Sequence, residues 1–245
     1  MATINISTIE RYYNEFASKQ QITGINARNK SIMKKSIQFG LKPHFDVLEI
    51  GCGIGTQTKL LIEFLKKGSL HSIDISSESI EIAKKKLGHF ANLTIEVNNG
   101  TEFFINKKFN AIILPDVIEH IPIEYHGKMF QNLDNMLKND GFILINIPNP
   151  FYLEWCQLFT PNLLQIIDQP IYTNTILSNI KNTNLYLYYE ETYSIWVYEG
   201  DYKCIILKKK PIIFNRGSFN IIEQKANIIK KFKNLIRILI RKKFN

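Results

Sequence analysis

One stretch of sequence decides the fold of this chain: Val47-Leu48-Glu49-Ile50-Gly51-Cys52-Gly53-Ile54-Gly55-Thr56. It begins within a short apolar run, residues 46–50, which is typical of a buried strand. Residues 56–67, which follow, have the apolar spacing of a helix. Because glycines permit a tight turn and let a backbone approach a ligand closely, the stretch predicts a strand, a ligand-binding loop and a helix in succession.

The spacing of the glycines separates this loop from two common phosphate-binding loops. A dinucleotide fingerprint reads GxGxxG, whereas here the third glycine comes one residue earlier and position 56 is Thr. A Walker loop would end in Gly-Lys-Ser or Gly-Lys-Thr, and this one does not. The second predicted strand ends near Asp74, where a carboxylate can accept hydrogen bonds from both hydroxyls of a ribose.

Strands and helices alternate outward from this loop, which predicts an α/β fold with a mostly parallel sheet and helices on both faces. The last two of seven predicted strands are joined through Glu199-Gly200-Asp201 and indicate a C-terminal antiparallel hairpin. The predicted strands are 46–50, 70–75, 93–97, 109–114, 142–147, 185–191 and 202–207, and the predicted helices are 9–40, 56–67, 76–87, 122–137 and 151–167.

Charge and cysteine content exclude several classes of protein. The chain has 31 basic and 22 acidic residues, but eight of the basic ones and none of the acidic ones lie in the last 21 positions. The remainder is therefore nearly neutral, which argues against a diffuse nucleic-acid-binding face. Three separated cysteines without a CxxC pair argue against a disulfide framework or a zinc site. With no apolar run near 18 residues and no secretory signal pattern, we expect a cytoplasmic protein.

The glycine loop and Asp74 together resemble those of class I S-adenosylmethionine (SAM)-dependent methyltransferases, and the resemblance covers about residues 12–207. It implies a Rossmann-like sheet, SAM as cofactor and S-adenosylhomocysteine (SAH) as product. It also implies roles for particular residues. Gly51, Cys52, Gly53 and Gly55 would pass under the methionine part of SAM, Glu49 would contact it directly or through water, Asp74 would bind the ribose and Ile75 would lie against the adenine.

Other segments extend this resemblance. Asn99 and Gly100 match the loop at the adenine edge, where the family usually has an acidic residue; the amide oxygen of Asn99 can still accept from the adenine amino group. A backbone carbonyl at Leu114 or Pro115 would accept from the SAM amino group. Tyr13 matches the N-terminal lid helix, and Arg28 matches a position that pairs with the methionine carboxylate.

The segment Leu114–Ile121 resembles a stretch ending in Glu-His in methyltransferases that act on quinones, sugars and natural products. A hydroxyl acceptor must lose its proton, and a neutral histidine can accept it near pH 7. His120 is therefore the candidate base, with His126 as a weaker one and a purely structural His120 as the alternative. No cluster of metal ligands is visible, and we expect no metal.

Residues 148–170 contain Phe151, Tyr152, Trp155 and Phe159, which predict either an apolar acceptor pocket or a helix packed on the sheet. Residues 225–243 have the pattern of a basic amphipathic helix, for which membrane contact, docking on the body and nucleic-acid contact all stay open. The expected organisation is a helical lid (1–40), a methyltransferase domain (41–215) with an acceptor-site insertion at about 148–182, and the tail (216–245).

The sequence thus predicts O-methylation of a small-molecule, quinone-like or lipid-linked glycan acceptor, with peripheral membrane contact as one of the open roles of the tail. Two alternatives remain at this point. One is an RNA methyltransferase recruited by the tail, although the Asn/Asp-Pro-Pro-Tyr/Phe motif of nucleic-acid amino methyltransferases does not follow the fourth strand. The other is a SAM-binding protein without catalysis.

Overall fold

A seven-stranded mixed sheet forms the centre of the part of the chain that the computed structural model describes, residues 6–20 and 24–211. Its strand order is 3-2-1-4-5-7-6. The first five strands are parallel, and the last two run antiparallel beside the fifth. This confirms the predicted Rossmann-like sheet with its C-terminal hairpin. The strands are β1 Asp46–Ile50, β2 Ser69–Asp74, β3 Leu93–Val97, β4 Phe109–Pro115, β5 Leu137–Pro148, β6 Leu185–Tyr193 and β7 Tyr202–Lys209.

Helices cover both faces of the sheet because the side chains of the central strands are apolar on both sides. On one face Leu48 and Ile112 belong to a core that includes Phe130. On the other face Val47 and Ile113 pack against the helices that cover that face. Burial on both faces explains why these strands are near-continuous apolar runs. The helices are α1 Ile6–Gln20, α2 Ala27–Gln38, α3 Thr56–Phe64, α4 Ser77–Leu87, α5 Ile123–Met136, α6 Pro150–Phe159 and α7 Thr173–Ile180.

The N-terminal region differs from the single predicted helix over 9–40. It contains two helices, α1 and α2. Gly24 has a left-handed φ of 53°, and Asn26 begins α2 with a capping box in which the side chains of Asn26 and Asn29 accept from each other's backbone N–H. Capping by an Asx side chain favours a helix start at this point over continuation through it.

The region after β5 also departs from prediction. The helix predicted over 151–167 ends at Phe159, and the short 3-10 turn Pro161–Leu163 follows. Proline lacks an N–H and biases the preceding residue away from helical geometry, so Thr160 is the natural end of α6. The helix α7 was not predicted. The basic tail predicted over 216–245 lies outside the described residues.

Candidate active site

A cavity of about 400 Å³ lies at the carboxyl ends of β1, β2 and β4. The strand order reverses between β1 and β4, which is where open α/β sheets place their ligands. Most of the residues singled out from the sequence line this cavity. They are Tyr13, Arg28, Gly51, Cys52, Gly53, Asp74, Ile75, Asn99, Gly100, Pro115 and His120.

The glycine loop forms the floor of the cavity with its backbone. Gly51 and Gly55 have φ values of 76° and 84°, which side-chain-bearing residues rarely adopt. A Cβ atom on Gly51 would collide with the side chain of Val117, and one on Gly55 would lie 2.8 Å from Leu87 Cδ1. The loop therefore requires glycine at both positions.

Asp74 ties the end of β2 to this loop. Its Oδ2 accepts from the backbone N–H of Gly53 at 2.7 Å, and its Oδ1 accepts from that of Ser76 at 2.9 Å. Ser76, not Asp74, caps α4, because the Ser76 hydroxyl accepts from Ser79 N–H. Burial raises the pKa of Asp74. Asp74 thus presents a carboxylate to the cavity and is not the cap of the next helix.

Glu49, Gly55 and Leu114 do not line the cavity. Glu49 is fully buried behind the loop, where its Oε2 accepts from Thr58 Oγ1 and from Ser72 Oγ, each at 2.7 Å. Its Oε1 has no hydrogen-bond partner among the described residues. Burial raises the pKa of Glu49 to about 7. The Glu49 side chain is therefore not placed for the direct contact with a ligand that the resemblance implies.

Asn99 uses its amide oxygen within its own loop. This oxygen accepts from Thr101 N–H at 3.0 Å and from Thr101 Oγ1 at 2.9 Å. A carbonyl oxygen has two lone pairs, and Thr101 uses both of them. An adenine amino group would therefore have to compete with Thr101 for the Asn99 oxygen. Gly100 follows and lines the cavity, and it packs so closely on Ile50 that a Cβ there would lie 2.6 Å from Ile50 Cγ2.

Arg28 has a partner that the sequence did not indicate. Its Nη1 lies 2.6 Å from Asp116 Oδ2, and Asp116 is held in turn by Asn146, whose Nδ2 donates to Asp116 Oδ1 at 2.8 Å. Asp116 has a φ of 56°, unusual for a non-glycine residue. The Asp116 carboxylate raises the pKa of Arg28. The Arg28 Nε lacks a hydrogen-bond partner among the described residues, so one donor stays open.

His120 lies at the cavity wall and is held from several directions. Its Nδ1 is 2.7 Å from the carbonyl oxygen of Ile167 and 3.0 Å from Asp168 Oδ1. Its Nε2 is 3.2 Å from the side-chain amide of Gln165 and 3.8 Å from Glu119 Oε1. The ring of Tyr13 lies 6.0 Å from the imidazole, centroid to centroid.

These neighbours change the expected ionisation of His120. Burial alone would lower its pKa, but the carboxylates of Glu119 and Asp168 outweigh burial and raise the pKa to about 9. The sequence predicts a neutral imidazole near pH 7, whereas these neighbours favour a protonated one. Burial also raises the pKa of Glu119, whose two carboxylate oxygens accept no hydrogen bond from the described residues.

His126, the weaker candidate base, has a structural position. It is fully buried, and its Nε2 donates to the carbonyl oxygens of Ile118 and Ile121 at 3.0 and 2.8 Å. It fixes the turn that carries His120 and does not line the cavity. Among the residues that the structure describes, no group of three or more His, Cys, Asp or Glu side chains is placed to hold a metal ion.

The aromatic residues of α6 do not line this cavity either. Phe151, Trp155 and Phe159 are 68%, 48% and 66% exposed, and Leu163 in the following turn is also exposed. The segment after β5 reaches the cavity through Gln165 instead. Within residues 6–20 and 24–211, no helix has the length and apolar character needed to cross a bilayer.

Comparison with known proteins agrees with this geometry. The methyltransferase-domain family matches residues 47–141, from β1 into β5. Residues 47–141 therefore form a methyltransferase domain, and the described part of the chain has the fold of the class I SAM-dependent methyltransferases. A SAM-dependent methyltransferase from Clostridium acetobutylicum superposes with a TM-score of 0.62 at 16% identity, covering 80% of this chain and 98% of that one.

Two curated methyltransferases resemble parts of the chain. Malonyl-(acyl-carrier protein) O-methyltransferase 2 of Ilyobacter polytropus is 29% identical over 42% of this chain, and phosphoethanolamine N-methyltransferase of Plasmodium falciparum is 32% identical over 43% of it. The matches span 39% and 40% of those proteins, so the chain spans less than half the length of either relative.

The residues of this site fit a SAM-sized ligand. The glycine loop leaves space that a Cβ would fill, Asp74 presents a carboxylate to the cavity, and the Arg28 Nε–H has no hydrogen-bond partner among the described residues. The sequence did not single out Asp116, Gln165 or Asp168. Asp116 stood within the quoted Glu-His segment, but no local pattern indicated its pairing with Arg28, and no motif marked Gln165 or Asp168.

Proposed function

We propose that this methyltransferase transfers the methyl group of SAM to a hydroxyl of a small-molecule acceptor and releases SAH. One observation carries the proposal: a single cavity is lined by the glycine loop, by Asp74 and by His120. The first two features suit a nucleoside with an amino-acid end. An imidazole in the same cavity suits proton transfer from an acceptor.

The cofactor-binding roles proposed here follow the positions of the side chains. Bound SAM supplies a methyl group on a positively charged sulfur, so the protein mainly has to align acceptor, methyl and sulfur. We assign Asp74 to the ribose hydroxyls and the Arg28 Nε–H to the methionine carboxylate. The remaining wall is assigned to Tyr13, Gly51, Cys52, Gly53, Ile75, Asn99, Gly100 and Pro115. Gly55, Leu114 and Glu49 do not line the cavity and are assigned supporting roles, Gly55 and Glu49 for the loop and Leu114 for the strand end beside it.

His120 is proposed to take the proton of the acceptor hydroxyl. With a pKa of about 9, only ~1% of the imidazole is neutral at pH 7. The rate of an enzyme that needs neutral His120 should therefore rise with pH and level off above about 9. A His120→Asn variant that binds SAM as the wild type does but retains full turnover would contradict this role.

An amine acceptor is the second candidate. Asp116, Glu119 and Asp168 surround the wall that carries His120, and carboxylates favour a cationic ligand. The relatives include both O- and N-methyltransferases. Analysis of the methylated product by mass spectrometry, with fragmentation to locate the methyl group, distinguishes the two acceptor types.

The acceptor is proposed to be hydrophobic, quinone-like or lipid-linked. The exposed aromatic side chains of α6 support this, because tryptophan and phenylalanine at a surface favour contact with apolar matter. Incubation with methyl-labelled SAM and host lysate, followed by partition into lipid, glycan, small-molecule and RNA fractions, tests it. Label found only in RNA would overturn the small-molecule proposal.

A further inference from the structure

The segment Leu164–Pro170, which we call the strap, is attached to the turn that carries His120. Gln169 donates its backbone N–H to Glu119 O at 3.0 Å and its side-chain amide to Ile121 O at 2.8 Å. His120 itself donates from Nδ1 to Ile167 O at 2.7 Å. Hydrogen bonds to residues on both sides of His120 therefore hold the strap in one register against it.

Asp168 is the charged residue of this strap and its carboxylate is divided between two partners. Oδ1 lies 3.0 Å from His120 Nδ1, and Oδ2 accepts from Gln165 N–H at 2.6 Å. Its side chain is only 9% exposed. Because the backbone of Gln165 fixes the carboxylate, Asp168 cannot turn away from the imidazole without losing a second bond.

We propose that Asp168 is a positioning residue, which together with the Ile167 carbonyl holds the proton of His120 on Nδ1 and so directs Nε2 at the acceptor. This inference rests on the proposed function. When Nδ1 carries the proton, neutral His120 has its lone pair on Nε2, the nitrogen that faces the Gln165 amide and the cavity. In this arrangement an acceptor hydroxyl replaces the Gln165 amide as the donor to Nε2.

The balance of the step follows from this arrangement. The acceptor O–H proton moves to Nε2, the acceptor oxygen forms a bond to the methyl carbon, and the bond from that carbon to sulfur breaks with its electron pair left on sulfur. His120 then carries two protons, and the Asp168 carboxylate 3.0 Å away stabilises that cation. Asp168 keeps its charge throughout and touches no reacting atom.

Charged and titratable groups face His120 from three elements. Glu119 lies beside it in its own turn, Asp168 faces it from the strap, and Tyr13 faces it from α1. Of the two carboxylates, Asp168 is the closer to a ring nitrogen, at 3.0 Å against 3.8 Å. Removal of its charge should therefore have a measurable effect on the imidazole even while Glu119 stays in place.

The experiment compares Asp168→Asn, Asp168→Glu and Gln157→Ala in the full chain. Gln157 donates its side-chain amide to the backbone oxygen of Asp168, so Gln157→Ala weakens the attachment of the strap without touching the carboxylate. The titration of His120 is followed by NMR of labelled imidazoles, with assignment from His120→Asn. Thermal melting shows that each variant is folded.

We expect Asp168→Asn to lower the titration midpoint of His120 by about one unit or more. We also expect the kcat reached at high pH, where His120 is neutral in both proteins, to fall roughly 10-fold with the KM for SAM unchanged, as for loss of a group that orients a base. The pH profile of kcat should shift with the midpoint. Asp168→Glu should restore part of both changes, and Gln157→Ala should leave both within about two-fold of the wild type, as for a surface substitution.

An unmoved midpoint in folded Asp168→Asn, or an equal loss in Gln157→Ala, overturns the positioning role. These results are separate from failure of the proposed function. The titration is measured without substrate, so a shifted midpoint in a protein that transfers no methyl group would support the pairing and refute the activity. Full turnover with an unmoved midpoint would support the activity and refute the pairing.

Discussion

The two sides of the cavity are built from contacts of different range. On the glycine-loop side, Asp74 bonds the backbone of Gly53, 21 positions earlier, and both belong to neighbouring strand ends. On the His120 side, His120 meets Ile167 and Gln165, 47 and 45 positions later, through a strap without regular structure. The glycine-loop side therefore depends on the shape of the backbone, whereas the His120 side depends on the docking of a segment that is distant in sequence.

The largest expected effect is on the glycine-loop side. Gly51→Ala places a Cβ against Val117 at a φ of 76°, so the loop has to move. We expect SAM affinity to fall about 100-fold or more, since the left-handed conformation alone costs about 1–2 kcal/mol. Isothermal calorimetry measures the SAM affinity. Gly127→Ala is the matched control, because the nearest atom to a Cβ at that position is Asn179 Oδ1 at 3.5 Å. An equal loss of SAM affinity in both variants would contradict the special requirement for glycine at position 51.

Asp74→Asn tests the carboxylate on the same side. The charge is lost, and the single side-chain oxygen of asparagine can replace the acceptor of only one of the two amides, Gly53 or Ser76, so thermal melting is used to show that the variant is folded. Because hydrogen bonds to charged groups contribute about 1.5–3 kcal/mol, we expect SAM binding to weaken roughly 10-fold or more. Isothermal calorimetry with SAM and with SAH measures this loss of affinity. Asp140→Asn, which changes an exposed aspartate, is the control. Unchanged affinity would remove Asp74 from the binding site.

Glu49 tests the layer behind the loop. Its pKa is raised by burial to about 7 when folded, so the folded protein binds more protons than the unfolded one between pH 4.5 and 7. The free energy of unfolding should therefore fall as pH rises through about 7. Glu49→Gln should reduce this fall, between pH 5.5 and 8, by about 1–2 kcal/mol. Urea unfolding at both pH values measures it, with the half-exposed Glu63→Gln as control.

The smallest effect is expected outside the cavity. Trp155→Ser on α6 removes an exposed side chain, so unfolding free energy should change by less than about 0.5 kcal/mol and SAM affinity should not change. If α6 meets the acceptor, the KM for a hydrophobic acceptor should rise several-fold. A fall in SAM affinity instead would show that α6 is coupled to the cavity.

Much of the fold was predictable because its signals are local. The apolar runs of the central strands, the glycines after Ile50 and the acid at position 74 predicted the sheet and the loop. The separate start of α2 at Ala27 and the end of α6 at Phe159 were not predicted. A capping box at Asn26 and a proline at 161 competed there with apolar spacing that continued past them.

The sequence by itself determined the strand, loop and helix that form the floor of the cavity, because glycine torsions and strand burial depend on neighbours in the chain. Only the tertiary structure decided that Arg28 pairs with Asp116, that Glu49 lies behind the loop and that Asp168 reaches His120. The partners of these side chains come from other segments of the chain. The raised pKa values of Arg28, Glu49 and His120 therefore follow from burial and from contacts that no local pattern records.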